Sequence, residues 1–234
     1  MTARQVSLTI DGKPVTVPEG STLREACQAQ GIDTPTLCWA KNLTPVNVCR
    51  ICVVELEGAR TLAPACSRKV EPGMVVKTDS ERVRTARRLV LELLGSSVDL
   101  SASKAFQGYL ERYAARPERF GPKAPPSAAG VREGAHPGHH PPPDGAQAAT
   151  VAAPPKVDNE LYVFDPSRCI LCYRCVESCG ADAQNTFAIF VAGRGFEARI
   201  SPEYAVPIAQ SACVFCGNCV GACPTGALMF KSEF

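Results

Sequence analysis

Several features common in membrane proteins and nucleic-acid-binding proteins are missing from this 234-residue sequence. No apolar run approaches the roughly 18–20 residues of a membrane-spanning helix, and the longest candidate, Leu89–Leu94, is interrupted by Glu92. The net charge is only +2, so neither a basic stripe for nucleic acid nor an acidic tail is indicated. The first residues lack the basic-then-apolar pattern of a signal peptide. These absences predict a cytoplasmic protein with no membrane span and no nucleic-acid partner.

Recognisable catalytic motifs are missing as well. No G-x-G-x-x-G follows a predicted strand, no P-loop is present, and all three histidines fall in a proline-rich stretch. No ligand set for flavin, nickel or molybdopterin can be identified, so chemistry on a substrate is expected on other chains. No catalytic residue is assigned.

Cysteine, in contrast, is abundant, with thirteen residues. In a reducing compartment cysteines bind metals or carry out redox chemistry more often than they form disulfides. The first set follows the pattern C-x10-C-x2-C-x13-C and comprises Cys38, Cys49, Cys52 and Cys66. Four thiolates suit zinc or a 2Fe–2S cluster. Structural zinc sites usually pair two C-x2-C units and only one is present here, so the spacing favours 2Fe–2S, with zinc as the alternative.

Two further sets repeat the spacing C-x2-C-x2-C-x3-C. They are Cys169, Cys172, Cys175 and Cys179, and Cys213, Cys216, Cys219 and Cys223, the last followed by Pro224. In two-cluster ferredoxins each run gives three ligands to one 4Fe–4S cluster and its fourth to the other. One predicted cluster is therefore held by Cys169, Cys172, Cys175 and Cys223, and the other by Cys213, Cys216, Cys219 and Cys179. The 33 residues between the runs are expected to hold a hairpin of Thr186–Val191 and Glu197–Ile200.

The N-terminal part predicts a β-grasp arrangement, a mixed sheet crossed by one helix. Alternating apolar residues on either side of Asp11-Gly12 indicate a hairpin. Ser21 or Thr22 is expected to cap a helix that ends near Gly31. Two more strands are predicted at Ile51–Leu56 and Thr61–Ala63. The remaining cysteine, Cys27, falls on the apolar face of the helix with Leu23 and Ala26, and is assigned to the core.

Composition divides the rest of the chain. A helix over Ser80–Leu94 has Arg82, Arg84, Arg87 and Arg88 on its basic face, which we interpret as solvated. Residues 116–158 hold ten of the twenty prolines and no cysteine, as expected for an extended linker. Metal binding by its histidines (His136, His139 and His140) is a weak alternative. The α+β chain is thus predicted to comprise a 2Fe–2S domain (1–78), a helical segment (79–115), the linker (116–158) and a two-cluster domain (159–234).

The cysteine motifs and their neighbours resemble a known family. The stretches that carry the resemblance are Thr36-Leu37-Cys38-Trp39, Cys49-Arg50-Ile51-Cys52-Val53-Val54-Glu55, Pro64-Ala65-Cys66, Thr85-Ala86-Arg87-Arg88, Cys169-Ile170-Leu171-Cys172-Tyr173-Arg174-Cys175-Val176, Cys216-Gly217-Asn218-Cys219-Val220 and Ala222-Cys223-Pro224-Thr225-Gly226. They are similar to the iron–sulfur region shared by the complex I large subunit, NAD-dependent formate dehydrogenases and iron-only hydrogenases. The chain looks most like the diaphorase iron–sulfur subunit of bidirectional NAD-linked nickel–iron hydrogenases.

The resemblance implies an electron-transfer subunit with one 2Fe–2S and two 4Fe–4S clusters. Its implied partners are a flavin/NAD-binding diaphorase subunit and a catalytic hydrogenase or formate dehydrogenase subunit. One departure stands out, because family members carry a histidine and three cysteines for a further 4Fe–4S cluster after the helix, whereas Gly95–Ala115 has neither residue type. A freely diffusing ferredoxin and a zinc-stabilised interaction module are the alternatives.

Overall fold

The computed structural model describes residues 4–120, 139–140, 150–151, 154–195 and 198–234. Its N-terminal half is built on a five-stranded sheet with the strand order β2-β1-β5-β3-β4. The strands are β1 (Gln5–Ile10), β2 (Lys13–Pro18), β3 (Val53–Leu56), β4 (Ala63–Pro64) and β5 (Val75–Lys77). β1 and β2 form the predicted antiparallel hairpin, and β5 lies parallel to β1. β5 was not expected from the sequence, because three residues carry too little alternation to signal a strand.

One helix, α1 (Leu23–Ala29), packs against this sheet. Thr22 caps it, accepting a hydrogen bond from the Glu25 N–H while the Glu25 carboxylate accepts one from the Thr22 N–H at 2.6 Å. Leu23, Ala26 and Cys27 are fully buried against the sheet core. The prediction that Cys27 belongs to the core is confirmed, and burial raises the pKa of its thiol.

The third and fourth strands are shorter than predicted. Ile51 and Cys52 lie before β3 rather than within it, and β4 begins at Ala63 rather than at Thr61. Ile51 and Cys52 are buried in the loop that carries three of the cysteines, so their apolar character reflects burial of that loop and not a strand.

Two helices follow the sheet: α2 (Glu81–Ser97), capped by Ser80, and α3 (Lys104–Tyr113). The interpretation of the α2 arginines as a solvated face is wrong for Arg87, which is only 2% exposed. Its Nη1 donates to the Tyr113 hydroxyl and its Nη2 to the Val53 carbonyl, both at 2.8 Å. The helix thus uses an arginine to join the sheet to α3.

Only short pieces of the proline-rich stretch are described. Pro117–Phe120 forms a 3₁₀ turn, and β6 (His139–His140) pairs antiparallel with β7 (Thr150–Val151). Arg119 of that turn reaches back to the buried carboxylate of Glu92 at 2.9 Å. His136, one of the three candidate histidines, lies outside the described residues.

The C-terminal part contains two short helices and two small antiparallel sheets. The elements are β8 (Tyr162–Phe164), α4 (Arg174–Cys179), β9 (Phe190–Ala192), β10 (Arg199–Ser201), α5 (Asn218–Ala222) and β11 (Leu228–Phe230). β8 pairs with β11, and β9 pairs with β10. The predicted hairpin between the cysteine runs is therefore confirmed. Its first strand begins four residues late, because Asn185 and Phe187 adopt left-handed backbone conformations that a strand cannot contain.

Contacts join the N-terminal and C-terminal parts. The Asp182 carboxylate accepts hydrogen bonds from the backbone N–H and the hydroxyl of Thr44, at 2.5 and 3.0 Å. The Ser103 hydroxyl donates to the Pro224 carbonyl at 2.9 Å. Among the described residues, no helix is long and apolar enough to cross a bilayer.

Candidate metal centres

The first candidate site is formed by the four thiols of Cys38, Cys49, Cys52 and Cys66. They come from the loop before β3 and from the turn after β4, and each is at most 7% exposed. The thiols are in hydrogen-bond contact with one another: Cys38 with Cys49 and Cys66, and Cys52 with Cys66. The structure thus brings together all four residues of the first predicted set.

The thiols of this site share protons. Hydrogen bonds from Cys49 and Cys66 lower the pKa of Cys38 to about 2, and the contact with Cys66 lowers that of Cys52 to about 7. The same contacts raise the pKa of Cys49 and of Cys66 far above the ordinary value. Metal ligation requires thiolates, and four converging cysteine side chains are a donor set of the kind that a metal centre needs.

The eight C-terminal cysteines fall into two groups. Apart from burial, which is the main cause, the pKa of Cys169 and of Cys172 is raised by the nearby Cys223 thiol. Burial is likewise the first cause for Cys219, whose pKa is raised to about 12, with further contributions from Cys179, Cys213 and Cys216. The fourth cysteine of each run thus lies with the first three of the other run, which is the arrangement that cross-donation needs.

The two runs share one backbone conformation. The residues two and four positions after the first cysteine adopt positive φ, Leu171 (50°) and Tyr173 (64°) in one run, Phe215 (54°) and Gly217 (79°) in the other. A left-handed conformation costs a bulky residue about 1–3 kcal/mol and usually marks a functional site. Here it turns backbone N–H groups toward sulfur.

These N–H groups make matching contacts. The Leu171 N–H donates to Cys169 Sγ and the Phe215 N–H to Cys213 Sγ, both at 3.4 Å. The Leu228 N–H lies at the same distance from Cys223 Sγ. Donors of this kind stabilise thiolates and tune the potential of a bound iron–sulfur cluster.

The two groups differ in exposure. In the Cys169 group, Cys172 and Cys175 are buried, whereas in the Cys213 group Cys216 is exposed. Each group has two buried cysteines, and the Cys213 group is the one with an exposed cysteine, so it is the group that reaches the surface.

The N-terminal site and the Cys169 group are neighbours. Cys38, Cys49 and Cys172 lie in one buried cluster with Leu37 and Ile51. Cys38 is near enough to contribute to the raised pKa of Cys172, which burial brings to about 11. Arg174 bridges the two parts by donating from Nη1 to the Leu37 carbonyl at 3.3 Å.

The helical segment packs against residues of both sites. Leu91, Val98, Leu100, Phe106 and Tyr113 pack into the same buried cluster as Cys38 and Cys172. Apolar side chains thus fill the segment in which the resembling families carry a histidine and three cysteines.

The cysteine side chains are the type of ligand that iron–sulfur clusters use. Within the described ranges, no three His, Cys, Asp or Glu side chains form a site for a single metal ion. A zinc ion draws four thiolates to about 2.3 Å from one centre, whereas a cluster distributes its ligands over several iron atoms. Four cysteines per site, with backbone N–H groups directed at sulfur, are ligand sets that could hold such clusters.

Sequence reasoning missed two residues near these sites. Arg174 and Arg87 are both arginines that reach backbone carbonyls in the interior. The position of Arg174 inside a cysteine run could have indicated its role. For Arg87, the indication was that it shares one face of the helix with the apolar residues Val83 and Leu91.

Two known domain families match this chain, one near each end. Residues 3–81 match the family described as "2Fe-2S iron-sulfur cluster binding domain", and residues 168–227 match the family described as "4Fe-4S dicluster domain". The two families together cover all three predicted cysteine sets.

Individual proteins are also similar. "NADP-reducing hydrogenase subunit HndD" from Solidesulfovibrio fructosivorans is 38% identical over 96% of this chain, and "NADPH-Fe(3+) oxidoreductase subunit alpha" from Geobacter sulfurreducens is 34% identical over 97%. The chain spans 36% and 24% of the length of these relatives. More distant relatives carry the names of the complex I 78 kDa subunit and of formate dehydrogenases.

A solved structure matches nearly the whole fold. A chain in the crystal structure of NAD+-reducing [NiFe]-hydrogenase in the H2-reduced state superposes with a TM-score of 0.76 at 25% identity, covering 97% of this chain and 88% of that one. With its 2Fe–2S domain and 4Fe–4S dicluster domain, the chain therefore belongs with the iron–sulfur proteins homologous to subunits of NAD(P)-linked hydrogenases.

Proposed function

We propose that this chain is a cytoplasmic electron-transfer subunit that relays single electrons between a flavin/NAD(H) subunit and a catalytic subunit, a nickel–iron hydrogenase. It holds one 2Fe–2S and two 4Fe–4S clusters, which when bound accept and release one electron at a time. The observation that carries the proposal is that Cys38, Cys49 and Cys172, from two different ligand sets, belong to one buried cluster.

The placement of the thiols supports three ligand sets. Cys38, Cys49, Cys52 and Cys66 hold the 2Fe–2S cluster. Cys169, Cys172, Cys175 and Cys223 hold the inner 4Fe–4S cluster, and Cys213, Cys216, Cys219 and Cys179 hold the outer one. Burial of the first set, and of Cys172 and Cys175 in the second, keeps water from these thiols, and the exposure of Cys216 supports access of a partner protein to the third set. The domain limits proposed above (1–78, 79–115, 116–158 and 159–234) keep each ligand set within one domain.

The absence of cysteine and histidine from Gly95–Ala115 affects the route. Phe106 and Tyr113 pack this segment against the first two sites, so its role here is to hold them together. Clusters bound at both sites would exchange electrons without a further cluster in this segment, and Leu37 and Arg174 form a contact between the two ligand sets.

Metal analysis tests the cofactor content. Chain purified anaerobically is expected to contain about ten iron atoms, from clusters of two, four and four, with an equal amount of acid-labile sulfide. The measurement is iron, zinc and sulfide per chain on one sample. Mainly zinc with little iron contradicts the proposal and favours the zinc-stabilised interaction module. A value near fourteen irons contradicts the absence of a further cluster.

The choice of hydrogenase rests on the match of this chain to 88% of a single chain in the [NiFe]-hydrogenase structure, whereas it covers only 20% of the relatives named formate dehydrogenase. Gentle affinity purification from the native host separates the candidates. A complex with flavin and nickel supports the proposal, and one with molybdenum or tungsten supports a formate dehydrogenase. Chain recovered with no partner indicates a diffusing ferredoxin.

A further inference from the structure

We propose that Arg174 is a positioning residue that sets the reduction potential of the inner 4Fe–4S site and couples it to the 2Fe–2S domain. The inference rests on the proposed function, because it concerns the cluster held by Cys169, Cys172, Cys175 and Cys223. It assigns a role to a side chain that is not itself a ligand.

Arg174 lies between the two ligand sets. It stands between Cys172 and Cys175 in the sequence, and its guanidinium is near enough to act electrostatically on the Cys172 thiol. Its Nη1 donates to the carbonyl of Leu37, the residue before Cys38, at 3.3 Å.

A further observation concerns the Nε donor of the Arg174 guanidinium. Arg174 Nε is buried, and no acceptor for it is present in the described part of the chain. A buried donor without an acceptor costs about 1–3 kcal/mol, so such a group calls for a physical explanation. Sulfur of a bound cluster at the Cys172 site supplies the missing acceptor.

The electrostatic consequence has a definite sign. One-electron reduction adds negative charge to a cluster, and a nearby guanidinium stabilises the reduced form. Arg174 therefore raises the potential of the inner cluster, because hydrogen bonds to sulfur and local charge are two of the quantities that set it. Raising that potential favours electron flow from the 2Fe–2S site toward the inner site.

The test is a redox titration followed by EPR on the anaerobically prepared full chain, with Arg174→Gln and Arg174→Lys. Arg174→Gln removes the charge, and Arg174→Lys keeps it while removing Nε. Arg84→Gln is the matched control, because Arg84 is a half-exposed arginine paired with Asp79. The inner cluster is identified as the one missing from Cys172→Ser.

We expect Arg174→Gln to lower the potential of the inner cluster alone. The expected size is at least a tenfold change in the equilibrium constant for electron transfer from the 2Fe–2S cluster, which corresponds to about 59 mV for one electron. Arg174→Lys is expected to give a smaller shift in the same direction, with all three clusters present. Iron content is measured on every sample.

Two results would overturn the inference: potentials of both Arg174 variants that match those of the wild type, or shifts no larger than those of Arg84→Gln. If Arg174→Gln loses the inner cluster, the Arg174→Lys titration decides by the same criterion. A wild-type chain that lacks iron contradicts the proposed function itself, so the two failures are distinguishable.

Discussion

Replacing Cys223 with serine is expected to remove the same cluster as replacing Cys169, although 53 residues separate the two positions in the sequence. Cys223 lies with Cys169 and Cys172, and its thiol raises the pKa of both. Cys223→Ser and Cys169→Ser should each lower iron by about four atoms per chain and abolish the same EPR signal. The measurements are iron analysis and EPR of the dithionite-reduced chain.

Cys179→Ser gives the complementary result. Although Cys179 follows Cys175 in the chain, its thiol lies with Cys213 and Cys219, so it should abolish the other 4Fe–4S signal. The matched control is Cys27→Ala, because Cys27 is fully buried in the sheet core and should retain all the iron. If Cys179→Ser, rather than Cys223→Ser, abolishes the same signal as Cys169→Ser, cross-donation is wrong and each run holds its own cluster.

A second large effect is expected at Arg87. Arg87→Met keeps most of the apolar volume but leaves the Val53 carbonyl and the Tyr113 hydroxyl without their donor. Each unsatisfied buried polar group costs about 1–3 kcal/mol, so we expect a loss of about 2–4 kcal/mol in the free energy of unfolding. The measurement is urea denaturation of the iron-loaded chain, followed by circular dichroism.

Arg84→Met is the control for this experiment. Arg84 lies on the same helix, is half-exposed and pairs with Asp79, and such surface pairs contribute about 0–1 kcal/mol. If the two variants unfold at the same urea concentration, the buried contacts of Arg87 do not stabilise the junction between the sheet and α3.

Much of this fold could be predicted from local patterns. The β1–β2 hairpin was marked by Asp11-Gly12, where both residues adopt positive φ, and α1 was marked by Ser21 or Thr22 as its cap, which the structure identifies as Thr22. The cysteine groups followed from spacing alone, because the reach of a thiolate from a short loop is limited. These features depend on neighbours in the sequence.

The parts that could not be predicted depend on distant residues. β5 is a strand because β1 and β3 lie on either side of it, and Arg87 is buried because Val53 and Tyr113 offer it acceptors. The contact between Cys38 and Cys172 likewise depends on how the two ends of the chain pack. The spacing of arginines along a helix is the same whether their side chains are hydrated or donate to buried carbonyls, so the sequence pattern does not distinguish the two.

The strand pairings carry a consequence for how the chain acquires its metal. β1 pairs with β5, and all four cysteines of the first site lie between them in the sequence. β8 likewise pairs with β11, and the eight remaining ligands lie between those strands. During synthesis the closing strand of each half leaves the ribosome only after the last cysteine of that half. The pairings of β1 with β5 and of β8 with β11 can therefore form only when every candidate ligand of that half has already been synthesised.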